Sequence, residues 1–371
     1  MASQRSRNLS LWIASIALSS TLWGCSSDDH SPVGPNPSPE ISTTTAAVYR
    51  IRDLGTLGGP FSQANGINNA GVVVGSSTLG AYPDTRRHAF MWKSGVMKDL
   101  GTIVGGNESS ANDINSDGVM VGFSNNRAGD MRAVRWMPDG RKLSLGTLGG
   151  RNSEATAIND FGVIVGWSET AGGPRHAFRY ENGVMVDLGT MGGAWSEAND
   201  INRGGAIVGY SQVASGERHA FKWRAGAFKD IGTNSGARNS QFSIANAINT
   251  KGQIAGILGP PLDAEGEEED FIEGFLFYQD VMTLCCRFRR LTTHVEDINP
   301  NGIIVGWEED IRGAEESDNE DPWIYEEGIT SRLPELSDGH SGAEAINLRG
   351  DIVGYSQPSA STFHAVLWKR Q

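Results

Sequence analysis

The chain reads as an all-β protein: a seven-bladed β-propeller of four-stranded antiparallel blades, closed by an N-terminal strand pairing in the last blade. Three observations carry that reading. The phrase Ile-Asn-x-x-Gly-x-x-Val-Gly occurs seven times, once with Ala for Val, starting at Ile67, Ile114, Ile158, Ile201, Ile248, Ile298 and Ile346. Its steps of 43 to 50 residues suit a propeller blade or a two-helix solenoid unit. Within each repeat the apolar runs are short and β-branched, and at the chain ends one strand of the repeat is displaced from tail to head.

The copy from Ser153 to Gly193 shows each element in order. The A strand leads into Ile158-Asn159-Asp160-Phe161-Gly162, a type I turn with Asn first and Gly fourth. Val163 to Trp167 is the B strand, His176 to Tyr180 the C strand and, after a turn at Glu181-Asn182-Gly183, Val184 to Thr190 the D strand. Each element is five to seven residues long and bounded by Gly, Asn or Pro, whereas helical units need runs of about ten or more. The 48 glycines also oppose helix, at a cost of roughly 1 kcal/mol each relative to Ala.

The ends decide between ring and solenoid. A D-strand phrase, Arg52-Asp53-Leu54-Gly55-Thr56, precedes the first A strand, and the chain stops at a C strand, Ala365 to Lys369. Pairing the two completes the seventh blade and removes an exposed sheet edge. An open solenoid gives no reason for that permutation.

Ahead of the ring, residues 1–24 read as a lipoprotein-type signal peptide. Arg5 and Arg7 precede the apolar stretch Leu9–Leu22, too short for the ~20 residues of a spanning helix. It ends at Leu22-Trp23-Gly24-Cys25, a lipobox-like site with Cys25 as the lipid attachment point; the plainer alternative is an ordinary signal-peptidase site beside a cysteine. Residues 25–47, rich in Ser, Pro and Thr, read as a tether, and 48–371 as the propeller. The expected location is the cell envelope, as an outer-membrane lipoprotein, or the medium.

The triplet His-Ala-Phe at His88, His176 and His219, with Asp-Leu-Gly-Thr-x-Gly-Gly nearby, resembles the bacterial extracellular HAF-repeat family over residues 49–371. The resemblance implies an exported repeat protein and no defined reaction. Other blades depart from the triplet: Arg132-Ala133-Val134, Gly274-Phe275-Leu276, Asp321-Pro322-Trp323 and His364-Ala365-Val366.

The repeated polar residues read first as structure. The C-strand histidines are expected to make one hydrogen bond per blade, and Asp53, Asp99, Asp187 and Asp230 to bond turn amides. The aromatic four residues after the His position, from Trp92 through Tyr278 to Trp368, is expected in the core. A hydroxyl lies five residues before each repeat Ile, and a small residue three before. Cys285 and Cys286 are adjacent, which leaves partly buried thiols, a vicinal disulfide or a metal site open.

The functional leads lie where the repeat breaks. Just before the Ile, blades two, four and six carry Asp113, Asp200 and Asp297, which either cap turns or face the channel and share a cation, with Ca²⁺ the candidate cofactor. The residue leaving the B strand is aromatic in five blades: Phe123, Trp167, Tyr210, Trp307 and Tyr355. Phe61 and Trp195 occupy matching places in D-to-A loops. Such a rim suits stacking on sugar rings, against the alternative of plain loop packing. The B-to-C segments of blades five and six are the longest and are acidic, as at Asp263–Asp270 and Glu315–Asp321. The formal charge of −13, or −15 once Arg5 and Arg7 leave with the signal, excludes nucleic acid as a partner and leaves the membrane reached only through an N-terminal lipid. With no Gly-x-Ser-x-Gly, P-loop, His-Glu-x-x-His or EF-hand pattern, no catalytic residue is assigned. The expected function is a monomeric, non-catalytic binding or interaction scaffold for a glycan or an envelope protein. The alternative is a polysaccharide-acting enzyme using carboxylates on the long-loop face.

Overall fold

The computed structural model describes residues 47–81, 86–232, 242–259, 272–285, 292–309, 320–337 and 339–371. Among them 28 strands form seven antiparallel sets of four, one per repeat, and the sets of blades four and five are joined by a single parallel bridge, Arg218 to Phe242. The first strand, Tyr49–Asp53, pairs antiparallel with the last, Thr362–Arg370, with Tyr49 opposite Arg370 and Asp53 opposite Val366. The displaced strand therefore completes the seventh blade, as its sequence position demands.

Each conserved letter of the repeat phrase has one mechanical task. In blade three the Gly162 N–H donates to Asn159 O at 2.9 Å and the Asn159 N–H to Val163 O at 3.0 Å, a type I turn followed by a left-handed residue. That residue is the phrase's first glycine, whose φ lies between 74° and 94° in all seven blades. The Asn side chain works in two directions. Its Oδ1 accepts the N–H groups of its own turn, as Asn159 does from Phe161 and Val163 at 3.0 and 3.1 Å. Its Nδ2 donates to the backbone carbonyl of the equivalent Asn in the next blade. The last step, Asn347 Nδ2 to Asn68 O at 3.3 Å, closes the circle. The second glycine sits under the A strand: a Cβ on Gly166 would overlap the carbonyl oxygen of Glu154, and the same holds at the other six.

That close approach accompanies a β-bulge in every A strand. Ala155 pairs with Gly166 and Ala157 with Val165, so Thr156 has no partner, and each blade repeats this irregularity.

Blades are tied laterally by the hydroxyl of the A strand. Ser153 Oγ accepts the Ala133 N–H of the preceding blade at 2.9 Å and donates to Gly146 O at 2.7 Å, and Ser62 makes the same pair of bonds to Ala365 N and Gly55 O across the ring closure. Between blades the core is built from Phe90, Phe178, Phe221, Phe275 and Trp323, all fully buried, each contributing about 1.5–3 kcal/mol. The small A-strand residues, Ala64 and its equivalents, are also fully buried there rather than facing the axis.

The histidine and aspartate readings merge into one device. His88 Nδ1 lies 2.9 Å from Asp99, His176 2.9 Å from Asp187, His219 2.7 Å from Asp230 and His364 2.7 Å from Asp53. The same aspartates accept a turn amide two residues on, as Gly189 N to Asp187 at 2.7 Å. Blade six reverses the charges, with Asp321 facing Arg332 at 2.7 Å.

In blade five the structure shifts the expected register by one residue. Gly256 pairs with Phe275 and Ile254 with Phe277, so Glu273-Gly274-Phe275 holds the place of His-Ala-Phe. The core aromatic is Phe277, 5% exposed, and Tyr278, 38% exposed, is not in the core. Period-two alternation decides it, since Phe275 and Phe277 share the inner face. Cys285 then stands where other blades carry the buried Leu or Ile of Asp-Leu-Gly, and it is a buried free thiol. Its neighbour Cys286, Cys25, and most of the two acidic loops lie outside the described residues.

Candidate binding face

The bulge aims two residues of each A strand at the axis, those four and two before the repeat Ile. In chain order the first set is Gln63, Ser110, Glu154, Glu197, Ile244, His294 and Gly342, and the second Asn65, Asn112, Thr156, Asn199, Asn246, Glu296 and Glu344. Members of both sets line a cavity of about 630 Å³ at the loop end of the channel. In the second set, five side chains donate to the next blade's carbonyl three before its Ile: Asn65 to Ala111, Asn112 to Ala155, Thr156 to Ala198, Asn199 to Ala245 and Asn246 to Val295, at 2.7–3.0 Å. An ionised Glu296 or Glu344 has no proton to give to the equivalent carbonyl.

These two glutamates put an acid where the other blades have a hydrogen-bond donor. Burial pushes Glu296 up to about 7, with Asp297 adding to the effect and the Trp307 indole N–H opposing it. Burial, then the charge of Glu296, raises Glu344 well above the carboxylate range, although Gln63 Nε2 donates to it at 3.1 Å. Glu320 stands close by and accepts the Tyr355 hydroxyl at 2.8 Å. His294, stacked on Trp307 with centroids 3.5 Å apart, is pushed down to about 4 by burial.

The three aspartates belong to the opposite end, where a cavity of about 230 Å³ is lined by the Ile-Asn turns and includes Asp113 and Asp297. Each carboxylate bridges two blades. Asp113 accepts the N–H of its own Ile114 at 2.7 Å and of Ile158 at 2.8 Å; Asp200 does so from Ile201 and Ile248, and Asp297 from Ile298 and Ile346. Burial raises Asp113 to about 6 and Asp200 and Asp297 to about 7, against the pull of those amides. Among the described residues no three His, Cys, Asp or Glu side chains stand together as a metal-ligand group.

The rim aromatics are placed differently from expectation. Phe123, Trp167, Tyr210, Trp307 and Tyr355 do not leave the B strand but lie within it, directly across from the axis-facing residue of the A strand. Trp195 is likewise inside an A strand, Gly192–Ile201, that extends further than a D-to-A loop would allow. The reason is that pairing continues past the repeat phrase in blades three and four, where Gly149 reaches Thr170 and Gly192 reaches Val213.

The structure brings Trp167, Trp195 and Tyr210 together in a cleft of about 670 Å³ between blades three and four, and places Phe123, Trp307 and Tyr355 elsewhere around the ring. Trp195 and Tyr210 meet edge to face, centroids 5.6 Å apart. Arg175 lies over Trp167 at 5.0 Å and pairs through Nε with Glu197 at 2.9 Å, while the Trp167 indole N–H donates to Glu154 at 3.2 Å. Arg218 lies over Trp195 at 5.2 Å and over Tyr210 at 5.1 Å. The hydroxyl of Tyr210 is bonded to Glu197, whose charge, after burial, raises its pKa. The axis-facing glutamates escape the sequence because the unpaired bulge residue breaks the period of two, and the lack of uniformity at those positions was the available signal; Arg175 and Arg218, on C strands paired to their B strands without a bulge, leave no such signal.

No protein-family model matches the chain, and no curated protein matches it. Solved structures do. The β-propeller domain of the Trilobed protease from Pyrococcus furiosus, described as having an open velcro topology, matches with a TM-score of 0.53 at 10% identity, over 84% of this chain and 94% of that one. YCF48 bound to D1 peptide matches with a TM-score of 0.51 at 10% identity, over 87% and 97%. A puromycin hydrolase mutant complexed with PGG matches with a TM-score of 0.55 at 11% identity, over 83% of this chain. The chain spans about half of that hydrolase, 53% of its length. At such identities the likeness is one of fold, and the fold is a β-propeller.

Proposed function

We propose that the protein is an exported, lipid-anchored binding scaffold of a bacterial envelope that seats a saccharide on its loop face. The observation that supports this best is the cleft between blades three and four. Flat faces of Trp167, Trp195 and Tyr210 stand beside carboxylates and guanidinium groups in a volume within the ~300–1,000 Å³ of small-ligand sites. Sugars offer C–H faces for stacking and hydroxyls for those polar groups. A glycan array tests it: binding is expected to fall at least about tenfold in Trp195→Ala, as for an aromatic anchor. Binding to no glycan, with envelope proteins recovered by crosslinking, would transfer the reading to a protein-interaction scaffold.

Export and anchoring rest on the signal-like segment, the lipobox at Cys25 and the resemblance to the HAF-repeat family. Labelled palmitate is expected to enter the wild-type protein and not Cys25→Ala; equal labelling of both sinks the anchor. Ca²⁺ belongs to the same reading as an aid to saccharide binding, and a thermal-shift titration with and without chelator tests it.

A second reading, a polysaccharide-acting enzyme, draws on the Glu296–Glu344 pair, since neighbouring carboxylates of raised pKa can divide acid and base roles. Release of reducing ends from polysaccharide, abolished in Glu344→Gln, would favour it; no release by the wild type removes it.

A further inference from the structure

We infer that the cleft between blades three and four selects saccharides carrying a carboxylate, uronic-acid units, over neutral ones; this rests on the saccharide reading above. The argument is an accounting of charges in the cleft. Two glutamates and two arginines line it. Glu197 is engaged by Arg175 and by the Tyr210 hydroxyl. Glu169 accepts the backbone N–H groups of Arg151 and Asn152 at 3.0 and 3.1 Å and the Asn152 amide at 2.8 Å. Arg175 has Glu197. Arg218 is left with aromatic faces only, and among the described residues no carboxylate lies within ion-pair distance of it.

An arginine held this way is prepared for an anion. Arg218 lies against the rings of Trp195 and Tyr210, neither of which neutralises its charge, and this leaves its N–H edge for a ligand. A planar carboxylate matches that edge with two parallel hydrogen bonds. Trp195, beside the same arginine in the cleft lining, supplies aromatic surface for the ring bearing that carboxylate. The chain's net charge of −13 works against long polyanions at a distance, so the fit is to a short segment or a chain end rather than to a continuous acidic polymer.

The test compares one saccharide in two charge states. Binding of oligogalacturonate and of its fully methyl-esterified form is measured by tryptophan fluorescence, with chelator present so that Ca²⁺ does not bridge carboxylates. An alginate oligomer and its ester form a second arm that separates galacturonate from other uronates. The wild type is expected to bind acid at least about tenfold more tightly than ester, as a charge-assisted pair implies. Arg218→Met is expected to remove that preference, so that acid and ester bind with equal affinity, with Arg218→Lys intermediate because it keeps charge and loses the fork. Equal affinity for acid and ester in the wild type overturns this inference and leaves the saccharide reading standing, and that comparison needs no variant to fold. A preference that persists in a folded Arg218→Met protein also overturns it. Failure of both acid and ester to bind, with neutral glycans bound on the array, rejects the uronate inference alone; failure of every saccharide rejects both.

Discussion

At the Ile-Asn end of the channel, each blade contributes the same side chain to the same bond, and the seven asparagines form a closed circle. At the loop end, two bulge-directed positions per blade carry Asn, Thr, Gln, Ser, Glu, Ile, His and Gly. The strand is the same and the ends differ in tolerance. A ring of side chains that bond each other's backbone allows no member to change without unpairing its neighbours. At the loop end five side chains still bond the next blade's carbonyl, through Asn or Thr alike, but the circle is not closed and the positions beside them face an open cavity. Uniformity therefore marks where the ring is held, and variation marks where it meets a ligand.

The strongest way to break this comparison is to remove the feature both ends share. Gly166→Ala would drive a Cβ into the backbone of Glu154 and Ala155, neither of which can yield without moving the A strand. A loss on the order of 4 kcal/mol is expected, in the range of severe steric damage, together with misdirection of Glu154 and Thr156. Urea denaturation measures the first; a shift of the midpoint by less than that of an ordinary surface substitution would show that the bulge does not depend on this glycine.

Next in size is a contrast within one strand. Asn159→Ala unpairs the amides of Phe161 and Val163 and the carbonyl of Asn202, so a cost on the order of 2–3 kcal/mol is expected. Thr156→Ala, three residues away at the other end, removes one hydroxyl shared between Ala198 O at 2.8 Å and Val165 O at 3.3 Å and is expected to cost about 1 kcal/mol. Equal losses would mean that the two ends are equally structural.

The architecture was legible because its signals are local. Turn glycines of positive φ, an Asx turn and a displaced D strand each leave a mark in a few consecutive letters, and together they specify blade, ring and closure. Lateral bonds were partly legible: the serines and histidines stood out by repetition, but their partners lie well along the chain, 11 residues from His88 to Asp99 and 20 from Ser153 to Ala133, or across the ring closure, as with His364 and Asp53. Blade five misled by one residue since Gly274 stands where the triplet's Ala belongs, and a change of one position exchanges Phe277 for Tyr278 in the core. The candidate site was the least legible part. A bulge reverses which residues share a face, so Asp113 drew attention while Glu154 beside the cleft did not. Arg175 and Arg218 stand just before the triplet's histidine, and only their placement over Trp167 and Trp195 in the fold gives them a role.

The smallest effect sharpens the comparison from the side of charge. Glu296 and Glu344 hold protons in the folded protein at pH values where unfolded glutamates have released them, since burial raises both. Asp113, Asp200 and Asp297 act in the same direction at the other end. A carboxyl with a raised folded pKa stabilises fully below its unfolded value near 4–4.5 and loses that contribution as pH rises through the folded value. Stability is therefore expected to fall between about pH 5 and pH 8, by on the order of 1–2 kcal/mol once water in the open cavities screens the charges. Replacing both glutamates, Glu296→Gln with Glu344→Gln, supplies a side-chain donor at the two positions where the other five blades already have one, four amides and the Thr156 hydroxyl. The double variant should lose part of the pH slope and gain stability at pH 8, where the wild-type pair is ionised. The aspartates, with their six amide bonds, should account for what slope remains. Melting temperatures at pH 5 and pH 8 decide it. An unchanged slope in the double variant would place the whole pH response at the asparagine end, and the loop-end pair would then be no more than a tolerated irregularity.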